Sequence, residues 1–185
     1  MLFRSSTFTT PAYVSQYFPA TNNFTTQLNL PDVFTVGASY KCNDKLTLAT
    51  DIMFADWSSY DSLIIDFEVN TAKLKDTHQA KKWKGAYIYR VGASYKTTDK
   101  LTLRAGAYYD VSPVRDEYLS AETPDASKVG LTAGASYIVA KKLSIDAALL
   151  YIESTARTGG NAELNFYGTY KAKATGISLG VSYTF

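Results

Sequence analysis

Four copies of one phrase organise this chain: Gly37-Ala38-Ser39-Tyr40, Gly92-Ala93-Ser94-Tyr95, Gly134-Ala135-Ser136-Tyr137 and Gly180-Val181-Ser182-Tyr183. After each of the first three come four residues, polar in the first two, and a second apolar run then opens on Lys45-Leu46, Lys100-Leu101 or Lys142-Leu143. Strand, tight turn, strand, with long irregular gaps between hairpins, is the grammar of an antiparallel β-meander.

The two faces of each strand differ in kind. Successive side chains of a strand point to opposite sides. Phe34, Val36, Ala38 and Tyr40 therefore oppose Thr35, Gly37 and Ser39. Val91, Ala93 and Tyr95 oppose Arg90, Gly92, Ser94 and Lys96, and Leu131, Ala133, Ala135 and Tyr137 oppose Thr132, Gly134 and Ser136. The strands that follow the turns repeat the pattern: Leu101, Leu103, Ala105, Ala107 and Tyr109 oppose Thr102, Arg104, Gly106, Tyr108 and Asp110. Alternation of this sort fits any half-buried antiparallel sheet.

Aromatic placement narrows the choice. On the second strand of each hairpin the apolar face opens on Leu46, Leu101 or Leu143, and an aromatic follows eight residues later: Phe54, Tyr109 or Tyr151. On the first strands that face closes on Tyr40, Tyr95, Tyr137 or Tyr183. Eight residues at about 3.3 Å each, tilted roughly 40°, climb about 20 Å, close to the ~25 Å apolar band of an outer-membrane barrel with aromatic girdles at both edges. The load of 15 tyrosines and 9 phenylalanines suits a bilayer interface. The slightly negative mean hydropathy of −0.14 is the average expected when every second residue faces water or a polar lumen. A net charge of +2, with scattered basic residues, gives no nucleic-acid footprint. The single Cys42 excludes an internal disulfide, and no Cys/His spacing points to a metal or cofactor.

The predicted strands are 24–41, 45–68 with a kink near Trp57–Ser59, 84–96, 100–111, 128–139, 142–154 and 173–185, with residues 1–10 able to supply the upper half of an eighth. The alternating aromatic pattern ending on Phe185 resembles the sorting signal read by the barrel-assembly machinery. With Phe185 in the periplasm, connections 41–44, 96–99 and 138–141 are periplasmic turns, and 69–83, 112–127 and 155–172 are extracellular loops. Pro31 interrupts an otherwise continuous alternation and removes one ladder donor, so a break in pairing is expected there. Met1-Leu2-Phe3-Arg4 does not open a secretory signal, and an open sheet with two free edges cannot sit in lipid. The expectation is therefore the C-terminal part of a longer chain: residues 1–23 a truncated strand and extracellular loop, residues 24–185 the C-terminal strands of an all-β, antiparallel transmembrane barrel.

Several phrases in fixed order make the likeness more specific. Leu30-Pro31-Asp32 precedes the first Gly-Ala-Ser-Tyr, and Asp44-Lys45-Leu46-Thr47-Leu48 and Asp56-Trp57-Ser58-Ser59-Tyr60 follow it. Then come Leu103-Arg104-Ala105-Gly106-Ala107-Tyr108-Tyr109-Asp110, Ser112-Pro113-Val114, Pro124-Asp125 and Gly168-Thr169-Tyr170-Lys171. From about residue 28 to 185 the chain resembles the C-terminal half of the FadL-type outer-membrane transporters (OMPP1/FadL/TodX). The resemblance implies seven to eight strands of a fourteen-stranded monomeric barrel in the outer membrane of a Gram-negative bacterium. It also implies uptake of long-chain fatty acids or other hydrophobic molecules, with a hatch domain and early strands outside this sequence. Its implied partners are hydrophobic small molecules, outer-membrane lipid and the assembly machinery.

Asp51, Arg90, Lys96, Arg104, Asp110 and Asp146 fall on the inward parity and are the candidate lumen-facing charges. Tyr40, Phe54, Tyr95, Tyr109, Tyr137, Tyr151 and Tyr183 are the candidate aromatic girdle, and Phe185 the candidate assembly signal. Trp57 falls on the inward parity unless a bulge turns it. His78, the only histidine, lies among Lys73, Lys75, Lys81, Lys82 and Lys84, which read as a solubilising loop; nothing orders Ser, His and Asp into a triad, so no enzyme is expected. Two alternatives stay open. One is a small self-closing structural or adhesive barrel, in which residues 1–10 pair with 173–185. The other is a soluble β-sandwich or lipocalin-like binder, in which the apolar face is dry protein interior.

Overall fold

The computed structural model describes residues 2–7, 13–14, 16–19, 21–121, 124–161 and 165–184. In chain order the strands are β1 (Leu2–Thr7), β2 (Thr21–Thr26), β3 (Asp32–Lys41), β4 (Leu46–Asp56), β5 (Ser62–Phe67), β6 (Thr77–Ala80), β7 (Ala86–Lys96), β8 (Leu101–Asp110), β9 (Lys128–Ala140), β10 (Leu143–Ser154), β11 (Arg157–Asn161), β12 (Phe166–Tyr170) and β13 (Lys173–Tyr183). Seven of them form one antiparallel sheet in the order β13-β10-β9-β8-β7-β4-β3. Each sequence neighbour among these seven is also a spatial neighbour, as the hairpin repeat requires. The repeated phrase Gly-x-Ser-Tyr lies on β3, β7, β9 and β13.

Two short turns are built alike. The Cys42 and Asn43 amides donate to the Leu46 carbonyl, and the Thr97 and Thr98 amides donate to that of Leu101. Asn43 Oδ1 accepts from the Lys45 and Leu46 amides, and Thr98 Oγ1 from those of Lys100 and Leu101. A short polar side chain closing its own turn is why Asn and Thr stand there. The third turn differs: β9 runs on to Ala140 past the expected limit at 139, and its register with β10 shifts at Leu143/Ser144.

The two longest expected strands are each divided. Expected strand 24–41 breaks at 27–31, around Pro31, into β2 and β3. Expected strand 45–68 breaks at a single 3-10 turn, Trp57–Ser59, capped by Asp56 Oδ1 accepting from the Ser58 amide. Above the breaks, β2 and β5 join β1 and β6 in a second sheet of order β1-β2-β5-β6. This corrects two expectations. Residues 69–83 are not a wholly irregular loop, because Thr77–Ala80 pairs with Ser62–Ile65. Leu2–Thr7 does not meet the last strand; it pairs along its whole length with Thr21–Thr26. The self-closing pairing is therefore not formed among the described residues: β3 and β13 each have one neighbour in the large sheet. Met1, residues 8–10 and Phe185 lie outside the described residues.

The large sheet does not bury its apolar face. Phe34 is 68% exposed, Ile177 76% and Leu179 78%. In a sandwich these residues would be the dry centre, so the soluble alternative fails on burial. The buried core sits elsewhere, in the long connections, where Leu119, Val114, Ser120 and Asn161 are at most 1% exposed. Lys81, expected on a solubilising loop, is 2% exposed, while Lys73, Lys75, Lys82, Lys84 and His78 are exposed.

One glycine is required by its neighbour across the ladder. Tyr108 and Gly130 stand opposite each other, and a Cβ on Gly130 would collide with Tyr108 Cε1. The ring lies over the bare backbone, an arrangement that covers a strand glycine with an aromatic. At Gly92 the same Cβ meets nothing closer than the Ala105 carbonyl at 3.6 Å. Gly130→Val is expected to cost about 1–3 kcal/mol by evicting the Tyr108 ring, and Gly92→Ala to stay within about 0.5 kcal/mol. Urea unfolding of both variants in detergent micelles measures the contrast; equal losses would contradict the ring-over-glycine packing.

Candidate functional site

Register turns the polar face of the large sheet into rows that run across the strands. One row reads Gly37, Asp51, Arg90, Tyr108, Gly130, Ile152, Ala174. The row below reads Ser39, Ala49, Gly92, Gly106, Thr132, Leu150, Gly176, and all but Leu150 are small. The row above holds Thr35, Met53, Ile88, Asp110, Lys128 and Ser154. Directly opposed residues on neighbouring strands are within reach of one another, so these rows decide which charges meet.

Four of the six candidate charges meet a directly opposed residue, Arg104 reaches a diagonal one, and Lys96 pairs in a turn. Asp51 and Arg90 are opposite each other and pair at 2.8 Å, with the second guanidinium nitrogen 3.6 Å from Met53 Sδ. Asp110 is opposite Lys128 and pairs with it at 3.2 Å. Arg104 Nη1 donates to Ser136 Oγ, whose hydroxyl donates to Asp146 Oδ1. Lys96 pairs with Asp99 at 3.3 Å, both well exposed. All six lie on the face away from Phe34, Leu103 and Leu179. The candidate girdle residues share that other face: Tyr40, Tyr95, Tyr137 and Tyr183 at the short-turn end, Phe54, Tyr109 and Tyr151 at the long-loop end. Phe34, Tyr87 and Tyr89 join the upper group, with Phe54 and Tyr87 ring centroids 5.0 Å apart.

The polar face also carries apolar side chains. Met53, Ala55, Ile88, Tyr108, Leu150 and Ile152 share its parity and are buried or half-buried. Above them the 3-10 turn sets Trp57 beside Trp83, centroids 5.2 Å apart, and Tyr60 stands edge-on to Trp83 at 5.0 Å. Trp83 is held there because the Lys81 and Lys82 amides donate to the Asp61 carbonyl and the Lys84 amide to that of Pro113. Trp57, Trp83, Ile88, Asp110, Pro113, Pro124, Asp125 and Lys128 line an open cavity of about 540 Å³. Its size and its mix of apolar walls with a few convergent polar groups are those of a small-molecule site. The buried Trp83 Nε1–H has no hydrogen-bond partner.

Arg157, at the start of β11, fixes the roof of this cavity. Its guanidinium donates to Asp116 Oδ1, Ser112 Oγ, the Asp125 carbonyl and the Val114 carbonyl, at 2.6–3.0 Å. Four acceptors from residues 112–125 converge on one side chain that is 17% exposed. Sequence reasoning missed Arg157, Lys128 and Trp83. Lys128 could have been found from the inward parity of β9; the other two sit in connections where no period exists.

Residues 5–185 match the family described as "Outer membrane protein transport protein (OMPP1/FadL/TodX)". An outer membrane protein of Neisseria meningitidis is 29% identical over 168 residues, 84% of this chain and 36% of that protein. The long-chain fatty acid transport protein of Escherichia coli is 26% identical over 151 residues, 80% of this chain and 31% of that protein. Among solved structures, a Pseudomonas aeruginosa FadL homologue superposes with a TM-score of 0.78 at 23% identity, covering 92% of this chain and 40% of that one. The Ralstonia pickettii toluene transporter TbuX gives 0.61 at 22%, covering 90% and 37%. The chain thus spans about a third of the length of the curated relatives it matches.

Arg157→Ala is expected to free residues 112–125 locally without unfolding the large sheet, because hydrogen bonds to a charged group are worth about 1.5–3 kcal/mol each and four are lost. Hydrogen exchange at those amides should rise at least about tenfold, with the amides of β7–β10 unchanged. Unchanged exchange at 112–125 would remove Arg157 as the clamp.

Proposed function

The chain belongs to the OMPP1/FadL/TodX family of outer membrane transport proteins, and from that premise we propose that it supplies wall and outer loops to a barrel that takes long-chain fatty acids or other hydrophobic molecules into the cell. One observation carries this reading. The face opposite the lipid-like surface is not uniformly polar: Met53, Ile88, Tyr108, Leu150 and Ile152 stand on it among the charged and small residues, and the Trp57–Trp83 cavity lies at its top. A water-filled pore has no use for these apolar side chains, because its lumen is polar. A hydrophobic solute gains about 25 cal/mol for each Å² of apolar surface it hides there.

In this arrangement Asp51, Arg90, Arg104, Asp110 and Asp146 face the lumen, each beside a charged or hydroxyl partner. The names of relatives agree with the class of solute: the Escherichia coli relative is a long-chain fatty acid transport protein and the Ralstonia pickettii structure is a toluene transporter. Both molecules are hydrophobic, and that shared property is what the cavity walls recognise. The aromatic residues at the two ends of the opposite face then mark the interfaces of the outer membrane.

Replacing both indoles tests the reading. In the barrel that carries this chain, Trp57→Ala with Trp83→Ala removes most of the cavity's apolar wall and should lower uptake of radiolabelled hydrophobic solute by cells at least about fivefold, since each buried aromatic side chain is worth about 1.5–3 kcal/mol of burial. The level of folded barrel, read as heat-modifiable migration on gels, should be unchanged. Unaltered uptake of both oleate and toluene by folded variant would contradict the proposal.

A further inference from the structure

We infer that the Trp57–Trp83 cavity accepts neutral hydrophobic molecules and disfavours ionised carboxylates, so its natural ligand is uncharged. The inference rests on the transport reading above and narrows its solute class. It comes from the charge inside the cavity. Lys128 is the only cation among the described lining residues, and it is already held between two carboxylates, 3.2 Å from Asp110 Oδ2 and 3.2 Å from Asp125 Oδ1. The three side chains are between 21% and 30% exposed, so water screens them only in part. Their sum is one net negative charge facing the apolar walls.

The ion-paired cations nearby do not bring charge into the cavity. Arg157 reaches only the Asp125 carbonyl, and its charge is matched by Asp116 at 2.8 Å. Arg90 is matched by Asp51. Lys171 and Lys173 share Glu153 and so carry one charge in excess, but Glu153 stands with Tyr151 on the other parity of β10, away from Lys128. A ligand carboxylate entering the cavity would have to draw Lys128 away from two aspartates or rest against them, and like charges in a half-buried site repel strongly. A cationic ligand finds its place beside the aspartates already taken by Lys128. A neutral chain or ring leaves the three groups as they are and gains the indole faces.

A matched series separates the possibilities: 1-dodecanol, dodecanoate and dodecylammonium, which share a chain and differ in charge. Binding of each to the purified barrel carrying this chain, in nanodiscs at neutral pH, should rank dodecanol about tenfold tighter than dodecanoate. Asp110→Asn with Asp125→Asn, which frees Lys128, should reverse that order. Asp125→Asn alone, a change in a connection rather than a strand, should narrow the gap and serves if the double variant does not fold. Dodecanoate binding as tightly as dodecanol to the native protein, no change in the ratio in the folded Asn variants, or dodecylammonium binding tightest would each overturn the inference while leaving hydrophobic transport standing. If no member of the series binds, or if Trp57→Ala with Trp83→Ala leaves binding of all three unchanged, the cavity is not on the solute path and the transport reading fails with it.

Discussion

A backbone that crosses hydrocarbon must satisfy every amide and carbonyl within the protein, since an unpaired group there costs several kcal/mol. Long, regular ladders follow from that constraint. β4 and β7 pair without interruption from Leu46–Tyr95 to Ala55–Ala86, β9 and β10 over twelve positions with one shift. Irregularity is confined to the ends. The Pro31 break, the Trp57–Ser59 turn and the small sheet of β1, β2, β5 and β6 all lie on the long-loop side. Once the ladder is fixed, alternation alone assigns each side chain to one of two environments, and a slip of one residue would exchange them all. The exposed Phe34, Val36, Ile177 and Leu179 make sense on a barrel wall and nowhere in a soluble fold.

The same ladder arranges the chemistry of the opposite face. Asp51 meets Arg90, and Asp110 meets Lys128, because register sets them opposite each other across neighbouring strands. Small residues in the row below, Ala49, Gly92 and Gly106, leave room where larger ones would crowd the lumen. Higher up, the 3-10 turn bends the chain so that Trp57 joins Trp83 over Ile88 rather than continuing the ladder. Thus a device that ends a strand also builds the cavity. Arg157 then ties residues 112–125 over it, which couples the roof to the β11–β12 hairpin.

Period-two patterning made the large sheet legible residue by residue, and a phrase repeated at each hairpin gave its topology. The Pro31 break and the Trp57 kink were legible too, one from a missing donor and the other from a cluster of polar and aromatic residues. What could not be read was anything that depends on long connections. Trp83, Lys81 and Arg157 have no periodic context, yet they are buried or half-buried and hold the cavity together. The pairing of Leu2–Thr7 with Thr21–Thr26 was equally hidden, because the intervening residues give no turn signal strong enough to set a register. Candidate charges were found by parity, but their partners across a loop of seventeen residues, as with Asp110 and Lys128, needed the register itself.

The central claim is that the apolar face meets acyl chains while its opposite face meets an enclosed, wetter space. Site-directed nitroxide labels test it most directly, placed one at a time in the barrel carrying this chain after Cys42 is replaced by serine. Labels at Val36, Leu103 and Leu179 should be relaxed more by oxygen, which concentrates in lipid, than by a water-soluble nickel chelate. Labels at their neighbours Thr35, Thr102 and Ser178 should show the reverse. Nickel access at the first set with oxygen access at the second would contradict the claim, and the proposals for transport and ligand class would fall with it.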